Sequence, residues 1–199
     1  MEKKIDFISD INRLEGLFSE GTDGKGVVIT HPHPLYGGDM NNVVVESIAK
    51  VYREKGYSTL RFNFRGVGAS HGRYDDGEGE QKDVLAARAY LEQAGVKQVD
   101  LAGYSFGAWV NARVGCVGAG QQMVMVSPPV AFIDYTSVGR LHCLEGVVAG
   151  SRDDFAPTDQ IRTLLPHWND AAAFKIIEGA DHFYGGYLRE LESILEAFI

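Results

Sequence analysis

The chain is short of cysteine, of basic charge and of long apolar runs, and each shortage removes a class of function. Its two cysteines, Cys116 and Cys143, have neither CxxC nor zinc-ligand spacing. They are expected to be reduced, mostly buried thiols, since free cysteine packs as a small hydrophobe. Lys and Arg number 19 against 27 Asp and Glu, a formal net charge of −8. That sign gives no pull toward DNA, RNA or an anionic membrane, and the cationic residues are scattered rather than gathered into a patch. No apolar run approaches the ~20 residues that span a bilayer. The opening "MEKKIDFISD" has two lysines but no apolar stretch behind them, so it does not read as a secretory signal. The cytoplasm is the expected address. Internal repeats, low-complexity segments and long linkers are also absent.

What is present suits one domain spanning residues 1–199. Apolar residues make up 45% and charged residues 23%, ordinary proportions for a globular protein with a sizeable core. Short β-rich runs alternate with amphipathic stretches. Lys25–His31, Tyr57–Phe64, Gln98–Tyr104, Gln122–Ser127, Leu144–Gly150 and Ala173–Gly179 read as strands. Most are continuously apolar, as strands covered on both faces should be. The earlier runs "KIDFIS" and "LEGLFS" alternate more and suggest an antiparallel hairpin at a sheet edge. Helical stripes fit Val43–Lys55, the stretch from Glu80 to a C-terminal Gly95, and the final "GYLRELESILEAFI". The Gly-rich "RYDDGEGE" reads as an exposed loop leading into a helix. Strand–helix alternation predicts an α/β fold, a mostly parallel sheet of about seven to eight strands with helices on both faces.

In "LAGYSFGAW" a polar Ser105 stands between Gly103 and Gly107, where a buried strand gives way to an apolar helix. This is G-x-S-x-G. A sharp strand-to-helix turn strains the serine backbone, and small flanking residues avoid clashes. The turn lifts the hydroxyl above the carboxyl end of the sheet, where α/β proteins bind ligands. The following helix turns its N-terminal N–H groups toward any developing oxyanion.

A serine hydroxyl is a poor nucleophile until a base takes its proton. Later strand ends offer the missing partners in the order Ser…Asp…His. "VVAGSRDDFAP" supplies Asp153 and Asp154, and "IIEGADHFYGG" supplies His182. His182 is cast as general base and then acid, with Asp153 holding the imidazole in the right tautomer. Asp181 is expected to face solvent or a backbone N–H, and Thr158 and Asp159 suit a solvated turn or a helix cap.

The loop "THPHPLYGGDMNN", Thr30 to Asn42, precedes the first long helix and is placed to supply one oxyanion N–H; Phe106, after the serine, should supply the other. Pro32 and Pro34 have no N–H, which leaves His33, Leu35 or Tyr36, with His33 preferred. Gly37 and Gly38 permit close approach or positive φ. The His31-x-His33 pair suggests a metal only if a third ligand such as His71 or Asp39 joins it. With no HExxH and no second H-x-H, no metal is expected, and His31 is read as a structural hydrogen bonder.

The segments "THPHPLYGGDMNN", "LRFNFRGVGASHG", "LAGYSFGAWV", "AGSRDDFAP" and "GADHFYGG" together resemble the α/β-hydrolase superfamily. They are most similar to its small, lidless, dienelactone-hydrolase-like and esterase-like bacterial branch. The resemblance runs from about Gly26 to the C-terminus. It implies Ser105 as nucleophile, His182 as base and Asp153 as acid. Asp153 is preferred to Asp154 because the family's G-x-x-D falls on Gly150-Ser151-Arg152-Asp153. Arg65 and Gly66 are implied to be structural. Dienelactone hydrolases proper use cysteine where Ser105 stands, so that activity is not implied, and His31-Pro32 replaces the family's His-Gly pair. About thirteen residues separate Pro129 from Cys143, which leaves no room for a large cap.

The implied reaction is acyl transfer from a small soluble ester or thioester to water, with no organic cofactor. Leu35, Tyr36, Tyr74, Phe106, Phe155 and Tyr184 are candidate walls of the pocket. A peptidase or amidase of the Xaa-Pro or aminoacyl type is the alternative, and a non-catalytic binding module a more distant one. A monomer or homodimer fits equally.

Overall fold

The computed structural model describes residues 1–199. Eight strands form one sheet in the order β1-β2-β4-β3-β5-β6-β7-β8. They are β1 Lys3–Ser9, β2 Asn12–Ser19, β3 Lys25–Thr30, β4 Ser58–Phe62, β5 Gln98–Tyr104, β6 Met123–Val126, β7 Leu144–Gly150 and β8 Ala173–Ile177. The edge hairpin pairs β1 with β2 antiparallel, and β2 joins β4 antiparallel. From β4 to β8 every pairing is parallel. The alternating run thus sits at the edge and the continuously apolar runs in the middle, as coverage on one or both faces dictates.

Helices α1 Val43–Glu54 and α5 Leu188–Glu196 cover one face, and α2 Glu78–Gln93, α3 Phe106–Val114 and α4 Thr158–Trp168 the other. Successive residues of β3 show the division. Val28 enters the core beneath α2 and α3, while Val27 and Ile29 enter the core beneath α1 and α5. Period-two side chains on a doubly covered strand must split this way.

Three local expectations need correction. The cysteines are not free thiols: Cys116 and Cys143 form a disulfide, their Cα atoms 5.8 Å apart. Their sequence separation of 27 gave no signal, because only the sheet brings the loop after α3 beside the start of β7. The "RYDDGEGE" segment is not simply an exposed loop. Gly77 packs so closely that a Cβ there would lie 2.3 Å from Trp109. Glu80 is buried and accepts from the N–H groups of Asp75 and Gly77. Helix α4 extends well beyond the cap that Thr158 and Asp159 suggest; Pro166 inside it and the Asp-rich approach mask its stripe, yet Ile161 and Trp168 are buried. Pro166 can donate no N–H to Arg162 O, and the helix runs only two residues past it, ending at Trp168.

Candidate active site

Ser105 joins β5 to α3 with φ 55° and ψ −122°, a region that L-residues avoid. The flanking glycines make that turn possible. A Cβ on Gly103 would lie 2.6 Å from the Ala108 nitrogen, and one on Gly107 2.6 Å from the Thr30 backbone. Any side chain at either position would push α3 away from β3 and β5. The G-x-S-x-G pattern is therefore a packing requirement as well as a chemical one.

The loops after β7 and β8 bring two more side chains to the serine. His182 Nε2 lies 3.0 Å from Ser105 Oγ, and His182 Nδ1 lies 2.9 Å from each carboxylate oxygen of Asp153. All three residues are buried. Asp153 Oδ1 also accepts from the N–H groups of Phe155 and Ala156. Burial alone would raise the Asp153 carboxyl. Hydrogen bonding and attraction to His182, with help from Ser127 and the Ala156 N–H, outweigh it and hold the group below the ordinary carboxylate range. Asp154 is exposed and takes no part. Asp181 accepts from the Phe183 N–H, as a turn carboxylate does.

The Thr30–Asn42 loop lies alongside. Its two glycines divide the work expected of them. Gly37 takes φ 80°, and Gly38 lies so close that a Cβ would meet Pro32 O at 2.1 Å. Leu35 N–H donates to His33 Nδ1, and Tyr36 N–H to His33 O. The loop is anchored from β4 and the residue just past it: Arg61 Nη1 donates to Met40 O at 2.7 Å, and Met40 N–H donates to Asn63 Oδ1 at 2.8 Å. His31 points inward. Its Nε2 accepts from Phe64 N–H at 3.0 Å, and its Nδ1 donates to Pro32 O at 2.6 Å. Burial lowers its pKa to about 4. Both ring nitrogens are thereby committed to backbone, which matches the structural role expected of it.

The aromatic candidates divide. Phe155 faces the site, its ring centroid 4.6 Å from that of His182. Leu35 and Tyr36 are 67% and 86% exposed. Tyr74 and Phe106 pack against the His33 ring. Tyr184 is not a wall of the site. It has positive φ and is fully buried in the core on the α1 and α5 side of the sheet, with its hydroxyl 2.7 Å from Ser127 Oγ. Two supporting residues had no sequence signal. Tyr104 donates its hydroxyl to His182 O at 2.8 Å, and Ser127 links Tyr184 to the Asp153 side of the relay. Strand-end Tyr and Ser residues are too common to single out without the fold.

The profile of the alpha/beta hydrolase family matches residues 41–197. Similar chains are found in several bacteria. The uncharacterized protein RP471 of Rickettsia prowazekii is 31% identical over 209 residues, spanning 98% of this chain and 88% of its own length. An α/β serine hydrolase homologue from Coxiella burnetii is 35% identical with a TM-score of 0.91, covering 98% of this chain and 96% of its own. XC6422 from Xanthomonas campestris, a lidless α/β serine hydrolase, is 26% identical with a TM-score of 0.91, covering 99% of this chain and 93% of its own.

Proposed function

Because the chain belongs to the α/β-hydrolase family, we propose that it is a serine esterase acting on carboxylic esters or thioesters of small molecules, with Ser105 as nucleophile, His182 as base and Asp153 as orienting acid. The observation that carries this reading is the continuous relay of Ser105 Oγ to His182 Nε2 and of His182 Nδ1 to Asp153. Ser105 Oγ attacks the ester carbonyl as its proton passes to His182 Nε2. The imidazolium is stabilised by the buried Asp153 carboxylate. The tetrahedral oxygen is received by the N–H groups of Phe106 and His33. Phe106 opens α3, so its N–H belongs to the four that a helix leaves without an internal partner. Of the three candidate donors in the Thr30–Asn42 loop, Leu35 and Tyr36 are engaged within the loop, which favours His33. His182 then returns its proton to the departing alcohol, and water releases the acyl group by the same steps in reverse.

A cytoplasmic address belongs to the same reading. The Cys116–Cys143 disulfide weighs against it, because the cytosol keeps thiols reduced. Alkylation of the two cysteines in intact cells, read by mass spectrometry, decides between them.

The experiment for the activity is fluorophosphonate labelling followed by turnover of short-chain esters. Wild type is labelled at Ser105 and turns over; Ser105→Ala is neither labelled nor active. His182→Ala loses on the order of 10⁴-fold in kcat. Absent labelling of wild type, or a mild effect at His182, overturns the assignment.

A further inference from the structure

We infer that the alcohol half of the ester is recognised by an aromatic platform of Phe132, Phe155 and Phe183, so that the enzyme prefers esters of flat, aromatic alcohols. The inference rests on the serine-esterase reading and adds to it which half of the substrate the protein selects.

The three phenylalanines come from three different loops, after β6, β7 and β8. They are 68%, 36% and 63% exposed, contiguous on the surface of a chain with net charge −8. Phe132 stacks on Phe155 with ring centroids 4.7 Å apart and planes 29° from parallel. Phe155 lies 4.6 Å from the His182 ring, and Phe183 packs edge-on against that ring at 5.6 Å. An exposed apolar cluster of this kind is costly to leave in water and marks an interaction site.

The platform is held in place by the machinery it borders. Phe155 N–H donates to Asp153 Oδ1 at 3.0 Å, and Phe155 O accepts from Ala131 N–H at 3.1 Å. Phe183 N–H is fixed by Asp181 at 3.0 Å. The backbone that carries Phe155 and Phe183 is therefore fixed, which lowers the ordering cost that a mobile subsite would incur on binding.

Chemistry decides which half of the ester meets them. The proton on His182 Nε2 must reach the leaving oxygen, so that oxygen sits within about 3 Å of Nε2 in the productive complex. The carbons attached to it then lie beside the imidazole, against the rings that already touch it. The carbonyl oxygen is drawn away, toward the Phe106 and His33 side. Aromatic groups with centroids 4.5–7 Å apart attract beyond their simple area burial.

Benzyl acetate and methyl acetate test this on the full chain. They share an acyl group and therefore an acyl-enzyme, and their alcohols are similarly acidic, so a difference in kcat/KM reports recognition of the alcohol. Wild type favours the benzyl ester by about tenfold. Phe155→Leu and Phe132→Ala each lower that ratio several-fold, while the methyl butyrate to methyl acetate ratio stays at its wild-type value. Phe132 does not touch His182, so its variant separates recognition from disturbance of the base, which would slow both esters equally. A wild-type ratio near one, a ratio indifferent to both substitutions, or a shift in the acyl series instead overturns the inference while leaving the esterase intact. No turnover of any of these esters, with no labelling of Ser105, overturns the esterase reading and the platform with it.

Discussion

The hydroxyl of Tyr104 donates to the backbone carbonyl of His182 at 2.8 Å, across 78 residues of chain. The residue before the serine thus holds the backbone of the residue that must accept the serine's proton. Burial keeps the phenol protonated and a donor. The two ring centroids lie 5.4 Å apart, so the tyrosine also supports the imidazole from the side. Tyr104→Phe leaves a buried carbonyl without its partner. Stability should fall by about 1–3 kcal/mol. Because imidazole placement matters in the transition state, kcat should fall several-fold with KM little changed. Steady-state kinetics beside urea unfolding separate the two effects, and an unchanged kcat in a destabilised protein would reduce Tyr104 to a fold residue.

Arg65 and Asp83 form a buried pair beneath α2. Arg65 Nη2 lies 2.7 Å from Asp83 Oδ1, and the Arg65 backbone N–H donates to Asp83 Oδ2. Asp83→Ala leaves the buried guanidinium with only the longer contacts to Ser9 Oγ at 3.4 Å and Asp10 at 3.7 Å, and orphans the Arg65 N–H. A loss of about 3–5 kcal/mol follows, measured by urea unfolding. Arg65→Met with Asp83→Asn removes both charges and should recover much of that loss. If the double variant is no better than the single one, the cost lies in packing rather than in the orphaned charge.

His31 makes stability depend on pH. Its folded pKa of about 4 lies below the ordinary 6.5, so between those values the unfolded chain binds the extra proton. The contribution is complete above about 6.5 and is lost as pH falls toward 4. Protonation would place an N–H against the Phe64 N–H that Nε2 accepts. From pH 7 to pH 4.5 the loss from this residue should be about 2–3 kcal/mol. His31→Gln can still accept from Phe64 but cannot titrate, so its stability should decline less over the same interval. Asp153 does not blur the window, since its lowered pKa keeps its stabilising share until more acid conditions. Equal declines in both proteins would remove His31 from the account.

The disulfide closes a loop with a sequence separation of 27 at the amino ends of β6 and β7, opposite the edge that carries Ser105. Cross-linking a loop of that size stabilises by about 3 kcal/mol. Dithiothreitol should therefore lower the thermal midpoint by about 5–10 °C. Activity at 25 °C should persist, because the site lies at the other end of the strands. A midpoint indifferent to reductant would mean that the bridge adds nothing to the fold.

Much of the site can be read from local pattern. Ser105 announces itself because Gly103 and Gly107 are each forced by a backbone atom within 2.6 Å. Asp153 and His182 follow as polar residues just past apolar strands, the only places from which side chains reach the carboxyl edge of a parallel sheet. Tyr184 shows the limit of such reading. It lies two residues from His182, yet its side chain is fully buried in the core and its hydroxyl meets Ser127. Helix α4 shows another, because Pro166 reads as a helix break in the sequence while the helix, held by the burial of Ile161 and Trp168, runs on to Trp168.

The sequence by itself determined the order of the strands and of four of the five α-helices, the strained turn at Ser105 and the identity of its two partners. These depend on periodicity, glycine geometry and the position of polar residues after buried strands, all of which are local. The tertiary structure alone decided the Cys116–Cys143 bridge, the Tyr104 bond to His182 and the gathering of Phe132, Phe155 and Phe183 around the imidazole. Each of these joins segments far apart in the chain, and such contacts are set by strand order and loop path rather than by neighbouring residues.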